Sequence, residues 1–140
     1  MRRAIHILSL SALILGYIFI GVVIYWLFYP YQVIKYNQDP LPVVNKYVVA
    51  GESVELFHDF CKYLDVKLTA DISIEDGVVQ AYPTLNNFTP KGCYQRFSRH
   101  TIPSYMKSEE KVRIHYTLYY KVNPIRTIKY QLYSEQFTIL

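Results

Sequence analysis

Residues 4 to 29 read AIHILSLSALILGYIFIGVVIYWLFY, twenty-six positions without Asp, Glu, Lys or Arg. About 20 apolar residues in helical form cross the hydrocarbon core of a bilayer. In hydrocarbon a single segment must satisfy its own backbone, and a helix is the structure that does so. The run therefore predicts a transmembrane helix and a different solvent for everything after it. A cleaved signal peptide has a basic start, a short apolar stretch of roughly 7–15 residues and small residues at the cleavage site. Here Arg2 and Arg3 supply the basic start. The apolar stretch is too long, and it ends in Tyr25-Trp26-Leu27-Phe28-Tyr29-Pro30, where bulky rings occupy the place of small residues. Rings at that position read as an interfacial aromatic belt. The expectation is an uncleaved anchor.

Arg2 and Arg3 precede the run and only Lys35 follows it closely. The positive-inside rule then puts the N-terminus in the cytoplasm and the rest outside. This divides the chain into a cytoplasmic stub (1–3), a transmembrane helix (4–29), a stalk or kinked first strand (30–42) and an extracytoplasmic domain (43–140). Ala12 and Gly16 form one small-xxx-small pair of the kind that lets two helices approach. Whether the chain forms homo-oligomers stays open.

The exported part carries 13 Lys+Arg against 11 Asp+Glu, so its charge is nearly balanced. The basic pI does not argue for a nucleic-acid partner. Twelve of the 15 Tyr lie in this part, and Tyr favours strands. Val66, Leu68, Ala70, Ile72 and Ile74 alternate with Lys67, Thr69, Asp71, Ser73 and Glu75, the period of a half-buried strand. Asp76-Gly77 follows as a hairpin signal, with Val78 to Tyr82 as the return strand. Val112 to Val122 alternates in the same way, is broken at Asn123-Pro124, and returns through Ile128, Tyr130 and Leu132 towards Phe137 and Ile139. Shorter candidates are Val33 to Tyr36, Val43 to Val49, Val54 to Phe60 and Tyr94 to Thr101. The stretch from Leu56 to Leu64 is ambiguous. Seven or eight short strands between regular turn signals predict an all-β fold, an immunoglobulin-like antiparallel β-sandwich behind one N-terminal transmembrane helix.

Cys61 and Cys93 are the only cysteines. Outside the cytoplasm an even pair oxidises, and closing a loop of about 30 residues stabilises by roughly 3 kcal/mol. The spacing is not that of an immunoglobulin domain with Trp between its cysteines, because the single Trp is in the anchor. No HExxH, His-x-His, CxxC, Gly-x-Ser-x-Gly or phosphate loop occurs. His115 falls on the polar face of an alternating strand and reads as solvated. His58 and Asp59 are neighbours on a strand and point to opposite faces. Ser98, Ser104 and Ser108 lack motif context. Glu109-Glu110 reads as a solvated charge pair. No catalytic residue, metal or cofactor is expected. Asn87-Phe88-Thr89 matches the glycosylation pattern, which matters only in a eukaryotic host. The residues most suited to an interface are Tyr94, Arg96, Tyr105, Tyr119 and Tyr133, since exposed Tyr and Arg anchor protein contacts.

Tyr119-Tyr120-Lys121-Val122-Asn123-Pro124-Ile125-Arg126-Thr127-Ile128, the closing Glu135-Gln136-Phe137-Thr138-Ile139, Ala50-Gly51-Glu52-Ser53-Val54, Gly92-Cys93 and Ile102-Pro103 together resemble small single-pass membrane proteins encoded by bacteriophages and prophages. That resemblance implies a bacterial inner membrane and a β-rich periplasmic domain, and it carries no functional residue with it. The function expected is a non-enzymatic, membrane-anchored module that recognises a protein at the cell envelope, in a phage setting through superinfection exclusion or envelope modification. An accessory subunit of a membrane assembly is the alternative, and an envelope enzyme ranks third. The expected partners are the lipid bilayer and an envelope protein.

Overall fold

In the computed structural model, residues 2–75, 80–87 and 89–140 are described. The described residues form α1 (Arg2–Phe28) and nine strands: β1 (Ile34–Tyr36), β2 (Tyr47–Val48), β3 (Ser53–Lys62), β4 (Leu68–Glu75), β5 (Gln80–Asn87), β6 (Gly92–Thr101), β7 (Lys111–Asn123), β8 (Arg126–Tyr133) and β9 (Phe137–Ile139). It is a mostly β protein with one N-terminal apolar helix. Two compact units emerge. One is the helix through Tyr31 together with Asn123–Arg126; the other holds the remaining residues.

The stretch Ser9–Phe28 is long and apolar enough to cross a membrane, and none of it is buried by protein. The helix stops where proline dictates. Tyr29 still donates its N–H to the Tyr25 carbonyl at 2.9 Å. Pro30 has no N–H to continue the ladder, and it disfavours helical geometry at the residue before it. The carbonyls left over at the helix end find partners in the same unit. Asn123 Nδ2 donates to the Trp26 carbonyl at 2.9 Å, and the Arg126 guanidinium donates to the Tyr29 carbonyl at 2.6 Å.

In the second unit, three strands form a sheet in the order β1-β3-β6, antiparallel throughout. Six form a sheet in the order β2-β9-β7-β4-β5, with β8 also paired to β7. Period-two burial explains both sheets. On β3, Val54, Leu56, His58, Phe60 and Lys62 point inward while Glu55, Phe57, Asp59 and Cys61 are half-buried on the other face. On β7, Val112, Ile114, Tyr116, Leu118 and Tyr120 are buried, and Thr117 on the opposite face is buried too. Ala70, Ile72 and Ile74 of β4 join that core. The ambiguous stretch from Leu56 is strand as far as Lys62. One pairing departs from an all-antiparallel sheet: β2 runs parallel to β9, Tyr47 opposite Thr138. Glu109 takes a φ of 68° and Glu110 accepts from Ile139 N–H, so this acidic pair shapes the approach to β9. The Asp76-Gly77 turn lies outside the described residues, and β4 and β5 on either side of it pair antiparallel.

Lys62 is 3% exposed. A buried ammonium requires acceptors, and Lys62 donates to the Val66 carbonyl at 2.6 Å and to the Thr89 carbonyl. Burial lowers its pKa and Asp65 partly offsets this. Gly51 sits at φ 92° in the turn before β3, a conformation that side-chain-bearing residues rarely adopt.

Cys61 and Cys93 stand directly opposite on β3 and β6, with Cα atoms 4.0 Å apart, and are disulfide-bonded. The bond joins neighbours within one sheet rather than the two sheets to each other. Replacing both by Ser removes about 3 kcal/mol of stability. For a domain of this size that is a fall in Tm of roughly 10–20 °C. Thermal unfolding of the full chain in detergent measures it, and an unchanged Tm contradicts a structural role.

Candidate functional site

β6 has two faces with different chemistry. Its inner face carries Ser98 and His100, and β3 presents His58 opposite Arg96, one inward position along. Tyr116 reaches them from β7 in the other sheet. His58 Nε2 lies 2.7 Å from Ser98 Oγ, and His100 Nε2 lies 3.2 Å from the same oxygen. Tyr116 Oη is 3.2 Å from Ser98 Oγ and bonds His100 Nε2. The Tyr116 ring stands edge-on to both imidazoles, with centroids 5.4 and 5.5 Å away. Burial lowers the pKa of His58 and of His100 to about 4, and for His58 the neighbouring His100 adds to the effect. Both rings are therefore neutral at pH 7. A neutral ring has one donor and one acceptor nitrogen, so this cluster is a hydrogen-bonded tie between the two sheets.

A cavity of about 290 Å³ adjoins the tie, lined by Tyr36, Phe60, Leu68, Ile72, Leu118 and Arg96 among others. A neutral His58 beside Ser98 has the distance of a base and a hydroxyl nucleophile. That chemistry also needs a group that orients the imidazole. Among the described residues no carboxylate bonds His58. No group of three or more His, Cys, Asp or Glu is placed to hold a metal among the described residues.

The outer face and rim of β6 are open. Phe97 is 63% exposed and packs at a tilt against Phe57, with centroids 5.1 Å apart. Arg99 Nε bonds Glu55 Oε1 at 3.0 Å. The Arg96 guanidinium lies 4.7 Å from the Tyr94 ring centre, a cation–π arrangement. Tyr94 also packs on Phe60 and donates its hydroxyl to the Pro90 carbonyl at 3.0 Å.

Of the five residues singled out for an interface, the fold thus brings together Tyr94 and Arg96. Tyr105 is exposed in the loop before β7. Tyr119 and Tyr133 are half-buried on the outer face of the larger sheet. Tyr133 is clasped between the His115 ring, stacked at 4.5 Å, and the Arg113 guanidinium at 4.4 Å. His115 is consequently half-buried under an aromatic ring, not solvated as its place in the alternation implied. Sequence reasoning missed Phe97 as an exposed residue and the cluster of His58, Ser98, His100 and Tyr116. The usable signal was parity: His58 shares its parity with Val54, Leu56 and Phe60. The sequence matches no protein-family model and no curated protein.

The neutral histidines give the fold a pH dependence. An imidazole held at about 4 in the fold and near 6.5 when unfolded binds more protons in the unfolded state between those values. Its stabilisation is complete above about pH 6.5 and is lost as pH falls towards 4. Protonation of each ring costs up to about 3 kcal/mol of stability as pH falls from 6.5 towards 4. Denaturant unfolding of the full chain at pH 7 and pH 4.5 is expected to show that loss. His58→Phe with His100→Leu should flatten the profile; a profile unchanged by both substitutions contradicts the assignment.

Proposed function

We propose that this chain is a membrane-anchored, non-enzymatic binding module, with its N-terminus in the cytoplasm and an immunoglobulin-like β-sandwich that recognises a protein at the cell envelope. Arg2 and Arg3 ahead of the apolar helix support the direction, and the disulfide supports an oxidising compartment. The resemblance to phage-encoded single-pass proteins supports a bacterial inner membrane and periplasm. There the module would act in superinfection exclusion or in modifying an envelope component.

The observation that carries the reading is the β6 edge. Exposed strand edges recruit other strands unless they are blunted by shortness, Pro, bulges or charge, Lys above all. β1 has three residues and β2 has two. β5 carries Pro83 and faces a register shift in β4. The outer side of β8 carries Lys129 and is bridged at its end, Ser134 to Leu41. β6 has ten residues, no Pro and no Lys, ends its sheet among the described residues, and presents Phe97. A partner strand added to such an edge gains main-chain hydrogen bonds, and alternate side chains set the choice of partner. Arg96 and Arg99 with no acidic residue on β6 favour a partner strand that carries carboxylates around an apolar residue.

A second reading, an accessory subunit held through its helix, has Ala12 and Gly16 in its favour. A shallow apolar groove runs past them, and a Cβ at Gly16 would meet nothing. Exchanging the anchor for an unrelated transmembrane helix separates the two readings: the edge-binding module keeps its activity and the subunit loses it.

Photo-crosslinking from positions 95 and 97 in whole cells tests the module directly. Adducts to one envelope protein from β6, and none from position 105, are expected. Phe97→Asp should cut that capture tenfold or more, as for a central contact residue. Equal adducts from all three positions, or capture unaffected by Phe97→Asp, contradict recognition through β6.

A further inference from the structure

The turn between β7 and β8 belongs to the compact unit of the helix. Asn123 ties it to the Trp26 carbonyl and Arg126 ties it to the Tyr29 carbonyl. The Arg126 guanidinium also lies 5.9 Å from the Tyr31 ring centre. The turn is ordered from within, since Asn123 Oδ1 accepts the Ile125 N–H at 3.1 Å. At its tip stands Ile125, 52% exposed. It lines the outer part of an apolar groove that runs along the helix from Leu15 to Trp26.

The depth of this groove follows from helix geometry. Trp26 is two residues short of Phe28, where the apolar stretch ends, and each residue rises about 1.5 Å. The Trp26 carbonyl thus lies about 3 Å inside that end, and Val22 lies about 6 Å deeper. Asn123, two residues before Ile125, is held to the Trp26 carbonyl, so Ile125 sits at the outer end of the groove, where hydrocarbon gives way to headgroups. Turn positions ordinarily favour Gly, Pro, Asn, Asp and Ser. An exposed Ile in a rigid turn is out of place in water and in place at that boundary.

Charge points the same way. From Lys111 to Ser134 the chain has five basic residues and no acidic one. Lys121, Arg126 and Lys129 lie within four residues of Ile125 in sequence. An apolar residue flanked by basic ones has the composition of an interfacial element that favours anionic lipid.

We propose that the turn Asn123–Arg126 is a second membrane-contact element. Ile125 inserts among the outer ends of the acyl chains, and Lys121, Arg126 and Lys129 engage phosphate groups of anionic phospholipids. The proposal rests on the reading of α1 as a membrane anchor and adds that the β7–β8 tip is held at the bilayer surface.

The test uses the full chain with Ile125→Cys, labelled with an environment-sensitive NBD fluorophore; the two native cysteines are joined and do not react. The protein is reconstituted in phosphatidylethanolamine–phosphatidylglycerol vesicles with and without doxyl-labelled lipid, and alkaline extraction is run in parallel. Expected are retention after extraction, a blue-shifted emission, and at least twofold stronger doxyl quenching at position 125 than for the same label on Tyr105→Cys. Quenching should weaken when phosphatidylglycerol is replaced by phosphatidylcholine. A chain that washes off at high pH overturns the anchor reading itself. A retained chain with an unquenched label at position 125, or with equal quenching at 105, overturns the turn as a membrane contact. Equal quenching in both lipid mixtures overturns the role given to the basic residues.

Discussion

The ten-residue antiparallel pairing of Ser53–Lys62 with Gly92–Thr101 is the interaction on which the rest of the domain depends. Because side chains alternate across a strand, one register decides several things at once. It sets Cys61 opposite Cys93 on the outer face. It places His58 and His100 on the inner face on either side of Ser98, within reach of Tyr116 from the other sheet. A slip by one residue would put the two imidazoles on opposite faces and part Cys61 from Cys93. The covalent bond near one end of the pairing and the hydrogen-bonded cluster towards the other hold the same register by independent means.

The same pairing leaves β6 with a neighbour on one side only among the described residues. A long edge without Pro or Lys is costly for a protein that must not aggregate. Here the strand is stiffened by its disulfide, by the Arg99–Glu55 pair and by Tyr94 bonded to Pro90. A rigid edge loses little freedom when a partner strand docks, which is the physical case for recognition there. The inner face contributes differently. Two neutral imidazoles and two hydroxyls tie the sheets with directional bonds, so β6 stays in plane while its rim remains open.

Much of this architecture was legible in the sequence. The β4, β7 and β8 strands announced themselves by strict alternation, and the apolar run announced the helix. The cysteines closed and opened strands where the pattern put them. β3 was harder because His58 and Lys62 take inward positions, which breaks the apolar rhythm that period-two reading relies on. β6 was read as a strand from Tyr94 to Thr101, but its inner face was not legible, because Tyr94, Arg96, Ser98 and His100 are all polar or amphipathic. Of these four only His100 is buried, which becomes intelligible once Tyr116 is seen bonded to it. The parallel pairing of β2 with β9 joins segments some ninety residues apart, and no local signal encodes it. His115 misled because burial beneath Tyr133 depends on cross-strand neighbours, not on the residue's own strand.

Backbone amide hydrogen exchange along β6 in the full-length chain tests the account most directly. With one side bonded to β3 and the other open, amides from Gly92 to Thr101 should alternate between slow and fast exchange. Uniformly slow exchange would mean that another strand already covers the edge, and uniformly fast exchange would mean that the pairing with β3 does not exist; either result contradicts the account.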